Sequence, residues 1–478
     1  MSFLGAQNSI ALGVQGIIAV DTGTGTIAVV TDPYWAYVSM LLHGDGVNGG
    51  QNNTFLDGSI NSATVTRNGN TTQGSFNPFT PVYPYDVATN GGSGYFNGTG
   101  DYLSVPAAAP LTVPTGSFTI EMWIYRSGNG SGGLSNYDSL MGSNLGGTSV
   151  FGIYINRTTL AIGFYGNGTL VETSTSISNN AWTHIAVSRT SGNNLQIFIN
   201  GVSGYSAANV TAGAFTNPLY VGYDGVAANY LYYGYISNLR YLTGTTLYTT
   251  TFTPPTAPLT AVTNTALLLG MSNAAIFDNA ELNNLETVAS AQISTSVFKY
   301  GTGALKFNGT TDYLTTPAKT ALNLGAGDFT IECWVNTPNA AVNNTIVGQC
   351  SSGIGDRSYQ ISITGTGAVS TLVFNAAQTA VQTDTGAGAI TSNTWYHIAF
   401  VRDGNTVRLY VGGVQQNTGN VTGFTINPST QTFGIGVLGA YTPLVFNGYI
   451  DDFRFTKGIC RYPSGTTFTP PTAAFPNS

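Results

Sequence analysis

Twice along its 478 residues the chain runs through the same ordered set of segments, and this duplication restricts its fold more than any other feature. Phe96-Asn97-Gly98-Thr99-Gly100-Asp101-Tyr102-Leu103 returns as Phe307-Asn308-Gly309-Thr310-Thr311-Asp312-Tyr313-Leu314. Phe118-Thr119-Ile120-Glu121-Met122-Trp123 returns as Phe329-Thr330-Ile331-Glu332-Cys333-Trp334. Trp182-Thr183-His184-Ile185-Ala186, Gly234-Tyr235-Ile236-Ser237-Asn238-Leu239-Arg240 and Thr251-Phe252-Thr253-Pro254-Pro255-Thr256-Ala257 have counterparts beginning at Trp395, Gly448 and Thr467. The order is kept, and the offset moves only from 211 to 216. A period this long means two copies of a whole domain, not a stack of short repeats.

Each copy reads as β structure. In Phe118–Tyr125, Phe118, Ile120, Met122 and Ile124 alternate with Thr119, Glu121, Trp123 and Tyr125, the period of two of a strand with distinct faces. Ile197-Phe198-Ile199 runs into an Asn200-Gly201 turn, a hairpin signal. No long 3.6-residue apolar period occurs; Ala280–Ala291 comes nearest and is assigned one short turn of helix. Composition agrees. Charged residues are 7% of the chain, against roughly a quarter in ordinary domains, while 42% hydrophobic residues suffice for real cores. A net charge of −7 with 14 Lys and Arg, and no basic run, argues against nucleic acid and anionic lipid as partners. No apolar run reaches the ~20 residues of a membrane span. No basic residue precedes the apolar Ile10–Val20, so no ordinary secretion signal is expected. Three cysteines cannot staple both domains: Cys333 stands where the first copy has Met122 and reads as apolar filler, and whether Cys350 and Cys460 pair is open.

The repeats put the first domain at residues 35–261, with Met40-Leu41-Leu42-His43 as its first strand, and the second at 262–478, with Ala266–Leu269 in that role. Pro254, Pro255 and Pro258 make the connection short and stiff. Residues 1–34 lie outside the repeat. Val14–Val20 and Ile27–Val30 flank a Gly-containing turn, which reads as a sticky hairpin: an assembly arm, or an extra edge hairpin on the first sandwich. Ahead of Phe96 the first copy carries about 16 additional residues, including the Pro- and aromatic-rich Asn77–Tyr85.

These segments (F-N-G-x-x-D-Y-L, F-T-I-E-x-W, W-x-H-I-A and G-Y-I-x-x-[FL]-R) resemble the laminin-G-like branch of the concanavalin A-like lectin/glucanase superfamily. The resemblance implies an all-β chain of two tandem antiparallel jelly-roll sandwiches. It is also similar to Gly- and Thr-rich bacteriophage virion proteins whose domains close on F-T-P-P-T. The superfamily holds lectins, hydrolases and structural modules, so fold alone does not assign function.

Glycoside hydrolysis needs two carboxylates at a set spacing, and Glu121 and Glu332 each stand alone on their strand. His184 and His397 repeat without an accompanying nucleophile and read as hydrogen-bonded structural residues. Asn97 with Asp101, and Asn308 with Asp312, could supply oxygens to a structural calcium; the competing reading is that they cap their turns. Tyr83, Tyr85, Tyr230, Tyr232 and Tyr233 suit stacking on sugar rings, or packing at a subunit interface. The expectation is a non-enzymatic protein of the bacteriophage virion surface (fibre, tail or capsid component) that requires no cofactor. Its partners would be itself as a homo-oligomer, other virion subunits and host surface glycan, without nucleic acid or membrane insertion. The alternative is a secreted extracellular bacterial lectin or adhesin.

Overall fold

Alternation of apolar and polar residues builds four antiparallel sheets, two for each copy. In the computed structural model, residues 19–21, 27–29, 31–108, 111, 116–131, 136–145, 148–208, 210, 217–226, 230–351, 355–439, 444–463 and 467–478 are described. The first sandwich sets a seven-stranded sheet, running from Thr169–Ser176 at one edge to Tyr102–Val105 and Thr66–Asn68 at the other, against an eight-stranded one. The eight-stranded sheet centres on Trp182–Arg189, Phe118–Gly128 and Tyr233–Thr243. The second sandwich repeats the plan, with Tyr313–Thr316 and Glu286–Val288 closing one sheet and Tyr396–Asp403, Phe329–Asn336 and Asn447–Lys457 centring the other.

Phe118, Ile120 and Met122 are fully buried in one core, and Phe329, Ile331 and Cys333 in the other, as their alternation requires. The one α-helix among the described residues is Val87–Asn90. Ala280–Ala291 forms no helix; part of it is the edge strand Glu286–Val288. Cys350 and Cys460 are free thiols in separate apolar clusters. No described helix is long and apolar enough to cross a membrane.

The first strands are exchanged between the copies, which corrects the domain assignment read from the repeat. Val38–Leu42 pairs with Asn447–Lys457, the last long strand of the second sandwich, and Met40 and Leu42 belong to the second core. Thr265–Leu269 pairs with Tyr233–Thr243 and sends Ala266, Leu267 and Leu269 into the first core. Each last strand is kinked by a register shift beside a left-handed residue, Asn238 (φ 51°) or Asp452 (φ 47°), types that tolerate that conformation. The kink divides one edge of the strand between Ser93–Asn97 or Ala304–Asn308 and the exchanged strand, while the other edge stays paired with Phe118–Gly128 or Phe329–Asn336 on both sides of it.

The two chain segments cross between Gly46–Phe55 and Met271–Ile276, and polar side chains hold the crossing. Asn52 is fully buried and uses all of its capacity: Nδ2 donates to the carbonyls of Ile276 (2.6 Å) and Leu285 (2.7 Å), and Oδ1 accepts from the amides of Ala275 and Ile276. Asp57 accepts from the Leu268 amide and Asp278 from the Leu41 amide, so each copy grips the strand that entered from the other. Residues 32–34, assigned to the arm from sequence, belong to this joint. Asp32 is buried, pairing with Arg454 at 3.0 Å and Arg461 at 2.8 Å. Of the expected hairpin, Ala19–Asp21 and Ile27–Val29 form a two-stranded sheet of their own; the remainder lies outside the described residues.

Candidate functional site

The polar residues that repeat between the copies meet in one arrangement, built twice. On the outward face of Phe118–Gly128, Glu121 Oε1 accepts from Arg240 Nε (3.0 Å) and Nη2 (2.6 Å), while Oε2 takes Tyr248 OH (2.8 Å) and lies 3.3 Å from His184 Nε2. In the second copy Glu332 Oε1 accepts from Arg454 Nε (3.0 Å) and Nη2 (2.8 Å), with Tyr462 OH at 2.7 Å and His397 Nε2 at 3.2 Å on Oε2. The closing motif F-T-P-P-T supplies the lid. Phe252 stacks on Tyr248 and Phe468 on Tyr462, each at 3.7 Å between ring centroids, and their edges cover His184 and His397. The Asn200-Gly201 and Gly412-Gly413 turns fit against the lid's backbone: a Cβ at Gly201 or Gly413 would stand 1.9 or 2.0 Å from the carbonyl of Phe252 or Phe468.

Burial alone would raise both carboxyl pKa values. The His184 hydrogen bond and the Arg240 charge lower Glu121 below the usual range, and the Arg454 charge with the His397 hydrogen bond takes Glu332 well below it. Both glutamates are 0% exposed at the side chain. A carboxylate held below its usual range and sealed from solvent is poorly placed to donate a proton to a leaving group.

Burial also sorts the sequence-selected tyrosines. Tyr85 donates its hydroxyl to the Gly91 carbonyl and Tyr232 lies wholly inside the first core, so neither presents a face to a ligand. Tyr83 packs edge-on against Trp35 at 4.9 Å and Tyr233 edge-on against Tyr95 at 6.4 Å, while Tyr230 lies tilted against Tyr154 at 5.8 Å; all three stay half-buried. They do not share one surface. The insertion is a bracket, not a free loop: Asn77 Nδ2 donates to Glu281 Oε2 (2.7 Å), joining it to the start of the second copy.

Asn97 and Asn308 accept from the backbone amides of residues 99–101 and 310–312, and Asp101 and Asp312 from those of Asn70 and Ser290. These oxygens therefore order turns. Among the described residues no three His, Cys, Asp or Glu side chains are placed to share a metal ion.

Two clefts remain. One, of about 780 Å³, lies beside the crossing between the insertion residues Pro84–Val87 and Val47, Gln51 and Phe277. Its amides are committed, Gln51 Nε2 to two carbonyls and Asn273 Nδ2 to Thr54. The other runs between the sandwiches and gathers Tyr233, Asn97 and Asp101 with Tyr95, Arg67, Glu286 and Tyr313. Tyr313 could have been found as the repeat partner of Tyr102; Arg67 and Glu286 carried no signal, because they meet only across the two copies.

A family model for laminin-G-type domains, described as the concanavalin A-like lectin/glucanases superfamily, matches residues 97–246 and 308–459. No curated protein sequence matches the chain. Among solved structures, the binding domain of Paraclostridial Mosquitocidal Protein 1 is 17% identical with a TM-score of 0.33, over 39% of this chain and 47% of that one. The botulinum neurotoxin serotype G binding domain is 14% identical with a TM-score of 0.32, over 41% and 46%. The chain thus aligns with less than half the length of either toxin structure. Domains LG4-5 of the mouse laminin alpha1 chain are 13% identical with a TM-score of 0.27, over 83% and 98%.

Proposed function

The chain belongs to the concanavalin A-like lectin/glucanases superfamily, and from that premise we propose that it is a non-catalytic binding and assembly protein of a bacteriophage particle surface. The observation that carries the first half is the sealed state of Glu121 and Glu332. Each copy's outward carboxylate is saturated by an arginine, a histidine and a tyrosine, whereas a glycosidase keeps an accessible acid and base roughly 5–9.5 Å apart. A buried ion network of this kind orients the lid over the sheet; it does not turn over substrate.

The virion half rests on the charge-poor, Gly- and Thr-rich β composition and on the tandem domains that close on F-T-P-P-T. As a fibre, tail or capsid-surface component, the chain would turn its sandwiches toward host glycan or neighbouring subunits. The hairpin Ala19–Asp21/Ile27–Val29 would reach a second copy or another particle protein through its unpaired edges. Two measurements test the reading. Incubation with laminarin, agar, alginate and peptidoglycan should release no reducing ends; release that disappears in Glu121→Gln overturns the non-catalytic assignment. Immunogold electron microscopy of purified particles should label their surface. Label confined to cell-free supernatant favours the secreted lectin or adhesin instead.

A further inference from the structure

Each seven-stranded sheet ends on a three-residue edge strand, Thr66–Asn68 in the first sandwich and Glu286–Val288 in the second. Both edges contribute to one groove between the sandwiches. The groove has two lobes, of about 470 and 320 Å³, which share Asn70, Glu286, Thr315 and Thr432. We propose that this groove binds a neutral oligosaccharide, with Tyr95, Tyr233 and Tyr313 lending ring surface and Glu286, Arg67 and Asn70 meeting its hydroxyls. The inference rests on the binding reading above and gives it a location and a ligand class.

Four features point to sugar. The three tyrosines line the groove half-buried, so each keeps part of its ring exposed to receive the C–H face of a pyranose. Around them stand groups that read hydroxyls. Arg67 Nη2 lies 3.5 Å from Glu286 Oε1 and has no hydrogen-bond partner, and Glu286 Oε2 accepts only a long bond from Thr315 (3.3 Å) among those described. Burial pushes the Glu286 carboxyl up to about 7 against the pull of Arg67, so near neutral pH it both donates and accepts, as a hydroxyl partner should. The charge balance favours no anion: Asp101 offsets Arg67 at the groove, on a chain of net charge −7.

The fourth feature is rigidity. Both lobes take residues from both copies, so the groove has a fixed shape only if the sandwiches hold a fixed relation. The strand exchange and the Asn52 joint supply that relation without help from a ligand, and a preformed site loses little ordering entropy on binding. Each lobe is also in the size range of ordinary small-ligand sites, roughly 300–1,000 Å³.

The test is calorimetric titration of the full-length chain with maltohexaose, mannohexaose, chitohexaose and a β-galactohexaose. At least one should bind. Tyr95→Ala and Tyr313→Ala should each weaken it by at least tenfold, the scale of a packed aromatic contact. Glu286→Ala should weaken it comparably, whereas Glu286→Gln, which keeps a donor and an acceptor, should restore most of the affinity. Tyr37→Ala, exposed and outside the groove, should leave binding unchanged, and thermal melts of every variant confirm that it is folded. Silence toward all four sugars overturns the inference. Binding that survives the combined Tyr95→Ala, Tyr313→Ala and Glu286→Ala variant overturns the groove while leaving the chain a binding protein. Failure of the broader reading shows separately, in the reducing-end and particle-labelling measurements.

Discussion

Leu42 and Leu267 are each fully buried, but each in the sandwich opposite to the copy in which it lies along the chain. Truncating a core leucine to alanine costs about 2–5 kcal/mol, through lost transfer energy and the cavity left behind. Taking about 3 kcal/mol, the affected sandwich should lose roughly 10 °C of melting temperature for a domain of this size. The informative quantity is where the loss appears. Hydrogen exchange read by mass spectrometry on the full chain should show Leu42→Ala loosening Phe329–Asn336 and Tyr396–Asp403 while sparing Phe118–Gly128. Leu267→Ala should do the reverse, loosening Phe118–Gly128 and Trp182–Arg189. The effect is thus crossed relative to the sequence repeat. Leu42→Ala deprotecting Phe118–Gly128 while Phe329–Asn336 stays protected would refute the exchange.

Truncation separates the arm from the joint. Deleting residues 1–30 should leave both sandwiches melting as before. Deleting 1–42 removes Val38, Met40, Leu41 and Leu42 from burial, about 6–12 kcal/mol, comparable with a whole domain's stability, and should unfold the second sandwich alone in a two-transition calorimetric scan. A pH dependence follows from His43, whose Nδ1 lies 2.5 Å from Asp452 and whose Nε2 lies 2.6 Å from Asn477. Burial pulls its pKa down, but the charge and hydrogen bond of Asp452, with Asn477, lift it to about 9. Its stabilisation, roughly 3 kcal/mol, is therefore complete below about pH 6.5 and fades as pH rises through 9. Urea melts should show wild type exceeding His43→Gln at pH 6 and the gap closing by pH 10; a constant gap contradicts the assignment. Arg454→Ala leaves Glu332 buried without its main partner and should cost about 3–5 kcal/mol in the second sandwich, with Arg240→Ala doing the same in the first.

The sequence by itself determined what local periodicity and repetition can encode. Alternation in Phe118–Tyr125 gave the strand and its buried face, and the repeat gave two sandwiches of one plan. Lone Glu121 and Glu332, each with a repeated His and Arg, already argued against an acid–base pair. Only the tertiary structure decided which sandwich each first strand completes. Val38–Leu42 and Thr265–Leu269 are both five-residue, fully buried strands, so either satisfies either slot by pattern. Chain connectivity breaks the tie. Thr265–Leu269 follows Tyr233–Thr243 across residues 244–264 and pairs with its sequence neighbour, as consecutive strands tend to do, leaving the slot beside Asn447–Lys457 for the strand that began the chain. The candidate groove was hidden for the same reason. Arg67 and Glu286 stand more than two hundred residues apart, and nothing in either neighbourhood announces the other; they face each other only because the exchange sets one sheet edge against its counterpart. Burial was equally out of reach of composition: Tyr232 and Tyr233 are adjacent and chemically identical, yet the pleat turns one into the core and leaves the other at the groove.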